Sequence, residues 1–296
     1  MHYNKKNLAL SAFILFMLFL PFSIKAQLSI KAQPDIEDSR ETGGFQFGLN
    51  FGMYLANKYP ANYYNGSDAN LNNIKYILGN KYLYYDIYKT IPRITDTFFV
   101  KQYPTDMHYP ATASAGLYIS YNFNRSTGVY IQFNYVKLKP HDAFTVEVDP
   151  KEYLTNPDLR LYSISGEEER INIDLGYSRS FRLGQNIDII GEAGIALNDI
   201  KVLKSRIYIE DKEYSIINVY GKNSYIPNSN MQSYNITQGG IGIGLHGGAG
   251  VRFNFSDSFA LQPGATLYWN NVNLEGYKDM RFSSFFYLRF IARKLL

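Results

Sequence analysis

The chain contains no cysteine. This absence excludes a domain held by disulfides, a zinc site with cysteine ligands and an iron–sulfur cluster. Histidine is scarce as well: the 296 residues contain 4, of which only His108, His141 and His246 follow residue 26. We expect neither a resident metal nor a cofactor.

The chain also has no excess charge of one sign once residues 1–26 are left out of the count. Lys5 and Lys6 precede an apolar run at 8–22, and Ala26 closes a pattern typical of a cleaved secretory signal peptide at 1–26. The run is shorter than the roughly 20 residues of a spanning helix. A second possible cleavage site follows Ala32, and we favour the first. Removal of 1–26 leaves 27 bases against 26 acids, so nothing indicates a nucleic-acid partner.

Long apolar runs are absent after Ala26, but period-2 alternation is frequent. In 44–55, for example, the odd-numbered residues are apolar and most of the even-numbered ones are small or polar, which predicts a strand with two unlike faces. Eight segments have this pattern: 44–55, 112–123, 128–138, 170–181, 187–198, 239–255, 259–271 and 281–291. An even number of strands suits a closed antiparallel membrane barrel. We therefore predict an all-β, eight-stranded antiparallel outer-membrane barrel over 43–296.

The connections between these segments alternate between short and long. Hairpin turns are predicted at 124–127, 182–186 and 256–258, and long outer loops at about 56–110, 139–169 and 199–235. Short periplasmic turns and long extracellular loops are typical of outer-membrane barrels. This arrangement predicts a periplasmic N-terminal tail at 27–42, both termini in the periplasm, and a location in the outer membrane of a Gram-negative bacterium.

Aromatic residues favour the membrane barrel over its alternative, a secreted barrel of the lipocalin type. Six phenylalanines fall at predicted periplasmic strand ends, where a membrane barrel carries an interfacial girdle. With Trp269, the predicted lipid-interface girdle is Phe45, Phe123, Phe181, Phe255, Phe259 and Phe290. Outer-membrane lipid is therefore an expected partner.

Three stretches carry a family resemblance. These are Gly48–Gly52, Gly247–Phe255 and Leu261–Gly264, followed by an aromatic last strand. In them the chain resembles the PorT-like outer-membrane β-barrel proteins of the Bacteroidetes. The resemblance implies an eight-stranded barrel in the outer membrane, in a family whose founding member is linked to the type IX secretion system.

Charged residues fall on the predicted inner face of the barrel. Because an unpaired buried charge is costly, we predict an interior polar network in which Glu192 and Asp174 meet Arg252 and Arg289. A polar plug that closes the interior is the favoured interpretation. An ion or proton path is the alternative.

Tyrosines concentrate in the predicted outer loops. Tyrosine offers a large semi-polar contact area, which favours recognition of a protein or glycan partner. The candidate recognition residues are Tyr63, Tyr64, Tyr82, Tyr84, Tyr85 and Tyr88. The alternative is that these rings only pack the loops into a cap.

The preferred function is non-enzymatic: a structural or surface-interaction barrel that acts through its extracellular loops. One alternative is an accessory role in a type IX-like secretion assembly, which the resemblance alone supports. The other is a lipid-modifying enzyme that uses His108 and His141 at the outer rim, where imidazoles beside carboxylates and hydroxyls provide the minimum for acyl transfer.

Overall fold

The computed structural model describes residues 43–150, 157–218 and 238–293. The predicted signal peptide and N-terminal tail lie outside these residues, as does the end of the third predicted loop. Within the described residues the chain forms eleven strands: β1 Gly44–Leu55, β2 Phe98–Gln102, β3 Thr112–Asn122, β4 Thr127–Leu138, β5 His141–Val148, β6 Asp158–Arg182, β7 Ile187–Ile209, β8 Lys212–Ser215, β9 Gly239–Asn254, β10 Phe259–Asn270 and β11 Arg281–Arg293. A 3-10 helix at Tyr59–Tyr64 and the α-helices α1 Ile74–Leu78 and α2 Lys81–Thr90 follow β1.

Eight of these strands close into a ring. Its order is β1-β3-β4-β6-β7-β9-β10-β11, and β11 pairs with β1 to complete it. Every neighbouring pair is antiparallel. The predicted all-β fold with an eight-stranded antiparallel barrel is confirmed. No helix among the described residues is long and apolar enough to cross a membrane.

Two of the predicted strands are much longer than the alternation indicated. β6 begins at Asp158 rather than 170, and β7 continues to Ile209 rather than ending at 198. Together with β5 and β8, these extensions occupy most of the described part of what we expected to be the second and third loops. The turn between β7 and β8 lies at Glu210–Asp211.

The β6 extension keeps the strand period, the β7 extension keeps it except at a bulge at Leu203, and in both the polarity of the two faces reverses. In the lower part of β6 the buried, inward residues are polar, as Asn172 and Asp174 are, and the outward ones are apolar, as Leu175 is. In the upper part the inward residues include Tyr162 and Ile164. The outward residues directly above the boundary are polar, from Glu169 to Ser163, and Leu161 and Leu159 are exposed beyond them. The sequence prediction ended where this reversal begins, because it followed the apolar face only.

The same reversal occurs at the matching height of β7. Ile195 and Leu197 face outward, but the next outward residues are Asp199 and Lys201. The register pairs Asp199 with Ile171 of β6, so the boundary runs level across both strands. Below it the barrel has an apolar exterior.

We call this apolar exterior the belt. It includes exposed apolar side chains from all eight ring strands, such as Leu49, Leu117, Val129, Leu175, Ile195, Leu245, Leu267 and Phe286. On β1 the belt runs from Phe45 to Leu55. At about 3.4 Å per residue and a tilt of about 45°, that length corresponds to a belt roughly 25 Å tall.

Above the belt, residues 56–110, β5, β8 and the upper parts of β6 and β7 form a second layer, which we call the cap. Its sheet has the order β2-β5-β6-β7-β8. Its buried core includes Ala61, Tyr64, Ile74, Ile77, Ile87, Phe144, Ile164 and Ile207. The cap therefore has an apolar core like that of a water-soluble protein, whereas the interior of the barrel is polar.

Candidate functional site

The barrel interior is organised around Arg289 of β11, which is 0% exposed. Its Nη1 lies 2.5 Å from Glu192 Oε1, its Nη2 donates to Gln132 Oε1 at 2.6 Å, and its Nε donates to Asn50 Oδ1 at 2.9 Å. The Tyr118 ring covers the guanidinium at 3.7 Å. One cation therefore joins β1, β4, β7 and β11, strands from both halves of the chain.

Two of the four predicted network residues form hydrogen bonds with partners other than those we expected. Asp174 accepts hydrogen bonds from Tyr268 at 2.8 Å and from Gln132 at 3.1 Å, not from an arginine. The register pairs Asp174 with Ala196, four residues along β7 from Glu192, so the two carboxylates lie at different heights. Gln132 connects the two levels. Arg252 donates to Gln262 at 3.0 Å.

This packing favours the polar plug over an ion path. Arg289 and Tyr118 are fully buried at the same height. A Cβ on Gly264 would lie 2.5 Å from the Tyr287 hydroxyl, so glycine is required there for the inward tyrosine to fit. The narrow interior expected of eight strands is thus filled by side chains.

The cap is joined to the barrel mouth by a second buried ion pair. Glu168 Oε1 accepts from Arg170 Nε at 2.6 Å, and both side chains are almost fully buried. The other carboxylate oxygen accepts from Tyr64 at 2.6 Å and Tyr109 at 3.3 Å, which belong to the first long connection. Burial, and then the charge of Glu168, raise the pKa of Tyr64 well above its usual value, so the phenol remains a proton donor at neutral pH.

A glycine makes this contact between the cap and the barrel possible. A Cβ on Gly166 would lie 2.2 Å from the Tyr64 ring, so only glycine lets the ring lie flat against β6. Tyr63 adds a second contact, near the start of β9, since its hydroxyl donates to Gln238 at 2.8 Å. These contacts cover the end of the barrel that carries the cap.

The structure therefore corrects the assignment of the recognition tyrosines. Tyr63 and Tyr64 are 1% and 0% exposed, because their rings pack in the cap core, and they cannot meet a partner. Tyr84 stacks on Phe98, and Tyr88 packs against the same core. For these four residues the alternative interpretation is correct: their rings pack the loops into a cap.

The other two candidates are exposed together on α2. Tyr82 is 86% exposed and Tyr85 57%, and the Lys89 ammonium lies 4.3 Å from the centre of the Tyr85 ring. These three residues, which we call the α2 face, are spaced at i, i+3 and i+7, so they share one side of the helix. They form the candidate recognition site.

The helix that carries this face is fixed at its beginning and on its inner side. The Asn80 side chain accepts from the backbone amides of Tyr82 and Leu83, which caps the helix N-terminus. Asp86 accepts from Lys212 and from the Tyr214 hydroxyl, both at 2.8 Å, and these hydrogen bonds lower the pKa of Asp86. The α2 face is therefore held in one orientation.

The two histidines of the enzyme alternative form no catalytic arrangement. Neither His108 nor His141 hydrogen-bonds to a carboxylate or hydroxyl among the described residues. Asp106, near His108, pairs instead with Lys58 at 2.7 Å. The described part of the chain contains no group of three His, Cys, Asp or Glu side chains that would hold a metal. The geometry gives the lipid-modifying alternative no support.

The aromatic residues assigned to the girdle all face outward, but not at a single level. The set is Phe45, Phe123, Phe181, Phe255, Phe259, Phe290 and Trp269. Phe290 pairs with Leu261, two residues above Phe259, because β11 continues to Arg293. Trp269 lies at the opposite end of β10, beside Phe282. Their role at a lipid interface stays a prediction.

No protein-family model matches the chain, and no curated protein does. Among solved structures, it is similar to the Neisserial surface protein A, with 8% identity and a TM-score of 0.41 over 85% of this chain and 99% of that one. It is also similar to Ail, the attachment invasion locus protein of Yersinia pestis (12%, TM-score 0.36, 85% and 99%), and to the outer membrane protein OprG from Pseudomonas aeruginosa (12%, 0.36, 85% and 96%). Likenesses this distant carry no inference about function, and none of them shows the PorT-like family.

Replacement of Arg289 by methionine tests the interior network. The variant leaves the Glu192 charge buried without its partner, and we expect it to lower the free energy of unfolding by about 3–5 kcal/mol. The measurement is urea unfolding of the protein refolded in lipid vesicles, followed by the fluorescence of its one tryptophan. Arg281→Met, at an exposed ion pair, is the control, with an expected loss of at most about 1 kcal/mol. Equal stabilities of the two variants would contradict this role of Arg289.

Proposed function

We propose that the chain is an outer-membrane β-barrel protein that presents a folded, rigid cap outside the cell. The observation that carries this proposal is the reversal of polarity at the top of the belt. Below it the barrel has polar residues inside and apolar residues outside, and above it the cap has the opposite arrangement. A protein surrounded by water has no reason to reverse its polarity at one height.

The belt supports this placement by its size and its chemistry. Its height of roughly 25 Å matches the apolar band of outer-membrane barrels. In water, each large apolar side chain left exposed would forgo about 1.5–3 kcal/mol of burial energy. The ring also leaves no open strand edge in the belt, as hydrocarbon surroundings require.

The orientation follows from the connections. Short turns join β3 to β4, β6 to β7 and β9 to β10 at the end where β1 begins and β11 finishes. Such turns are periplasmic in outer-membrane barrels. The cap then lies outside the cell and both ends of the barrel domain face the periplasm.

Surface interaction through the α2 face is the role we propose for the cap. Tyr82, Tyr85 and Lys89 provide aromatic and cationic contact area on a helix held in one orientation. Tyrosine contributes such area at a low entropic cost, which suits a protein or glycan partner. The filled interior argues against transport as the main role. A secretion role rests on the sequence resemblance alone, and no contact in the structure favours it.

Lysine substitutions at two outward positions, one in the belt and one in the cap, test the membrane placement. Leu117 lies in the belt and Ser163 on the outer side of the cap, and both are exposed. We expect Leu117→Lys to lower the free energy of unfolding in lipid vesicles by about 2–4 kcal/mol. Ser163→Lys should stay within about 0.5 kcal/mol of the wild type. Similar values for the two variants would rule out a belt in contact with lipid.

Substitution of the two exposed tyrosines tests the proposed role. The protein in lipid nanodiscs is applied to immobilised glycans and extracellular proteins, and the affinity of each bound partner is measured. Tyr82→Ala/Tyr85→Ala should weaken that binding about tenfold or more, because large central aromatic contacts dominate interfaces. Phe99→Ala removes an exposed aromatic ring elsewhere on the cap and should leave binding unchanged. Binding that survives the double substitution would refute a role of the α2 face.

A further inference from the structure

A basic crevice lies on the outer side of the cap, just above the belt. Lys139, His141, Ser165, Glu167, Lys204 and Arg206 line it, and its volume is about 240 Å³. They come from the link between β4 and β5 and from the upper parts of β6 and β7. Lys139 precedes β5, and Lys204 and Arg206 lie on β7, so cations from two separate parts of the chain meet in this crevice.

The height of the crevice follows from the strand register. Tyr135, Ile171 and Asp199 lie side by side at the top of the belt. Lys139 follows Tyr135 by four residues, which places it roughly 10 Å above that row for tilted strands. The headgroup layer of a bilayer adds only about 5–8 Å beyond each side of the hydrocarbon. The crevice is therefore level with the outer part of a bulky sugar headgroup.

Two of the cations in the crevice lack an ion-pair partner of their own among the described residues. Glu167 pairs with Lys137 at 2.7 Å, and Arg206 pairs with Glu213. Lys139 and Lys204, by contrast, form no ion pair with any described residue.

Both free cations nevertheless approach the same carboxylate. The hydrogen bond from Lys137 lowers the pKa of Glu167, and the charges of Lys204 and Lys139 lower it further. Lys139 and Lys204 thus line the same crevice as one carboxylate, which is already paired with Lys137.

Two cations elsewhere on the rim have partners. Lys58 pairs with Asp106 at 2.7 Å and Arg281 with Asp279 at 3.0 Å. Lys139 and Lys204, by contrast, place positive charge beside the upper parts of β6 and β7 without such partners among the described residues. An anionic ligand that reaches this side of the barrel at the height of the lipid headgroups would neutralise this charge.

We propose that the crevice binds a phosphate group on the sugar headgroup of an outer-leaflet glycolipid. Lys139 and Lys204 supply the positive charge, and the Ser165 hydroxyl is available as a further donor. The acyl chains of such a lipid lie against the belt and hold the phosphate near the crevice, which raises its local concentration. This inference rests on the membrane placement proposed above.

The test uses the full-length protein, purified in detergent and stripped of lipid. The probe is rough lipopolysaccharide with a phosphorylated inner core, and its dissociation constant is measured by titration. We expect Lys139→Gln/Lys204→Gln to weaken binding about tenfold, because two charge-assisted contacts are lost. Lys81→Gln/Lys278→Gln removes the same charge from two other exposed lysines and should bind like the wild type.

Two further probes identify the bound group. Lipopolysaccharide whose phosphates have been removed should bind the wild type as weakly as the phosphorylated form binds the crevice variant. Inorganic phosphate at millimolar concentration should displace little of the lipid, because it lacks the acyl chains.

The proposal is overturned if the crevice variant keeps wild-type affinity, if phosphate removal has no effect, or if inorganic phosphate displaces the lipid completely. A separate measurement, the behaviour of the wild-type protein without detergent, would detect a failure of the proposed membrane placement. In that case the wild-type protein would remain monodisperse in buffer without detergent.

Discussion

Closure of the strand ring is the constraint on which the rest of the structure depends. A backbone amide or carbonyl in hydrocarbon finds no water, so it must bond within the protein. In this chain β1 pairs with β11 from Gln46–Arg293 to Leu55–Ser284, so the first strand is bonded to the last. The β6–β7 pairing completes the ring on the other side. Because the backbone amides and carbonyls are hydrogen-bonded within the ring, the outward side chains can be apolar.

Closure with eight strands also determines what the interior can contain. The space is too narrow for a wide channel, and charged groups in it must meet partners. Arg289 does so with Glu192, Gln132 and Asn50, and it links strands that are distant in sequence. Glu168 has the corresponding role at the mouth, where it binds the cap tyrosines. A filled barrel with a fixed cap is suited to displaying a surface.

The eight ring strands could be predicted because one strand face stays apolar for about ten residues at a time. The upper part of β6 and residues 199–205 of β7 were missed because the apolar face changes sides at Glu169 and Asp199, and a search for one continuous apolar face ends there. Alternation of the opposite sense, with Tyr162, Ile164, Ile207 and Ile209 inward, was the available signal.

The site was less predictable than the fold. Glu192 and Arg289 could be assigned to the interior, but the height of Asp174 depends on the β6–β7 register, which no local pattern encodes. Composition drew attention to the loop tyrosines without separating buried from exposed ones. That separation depends on which rings reach Glu168 and Gln238 in the folded cap.

The central claim is that the polarity reversal marks the membrane surface, and the absence of cysteine makes it directly measurable. Single cysteines are introduced at Ile173 and Leu197 in the belt and at Ser163 and Lys201 above it, all on the outer face. Intact outer membranes are then treated with a maleimide that is soluble in water and cannot enter lipid. The account predicts rapid labelling at positions 163 and 201 and none at 173 and 197 until the protein is denatured. Equal labelling at all four positions would contradict it.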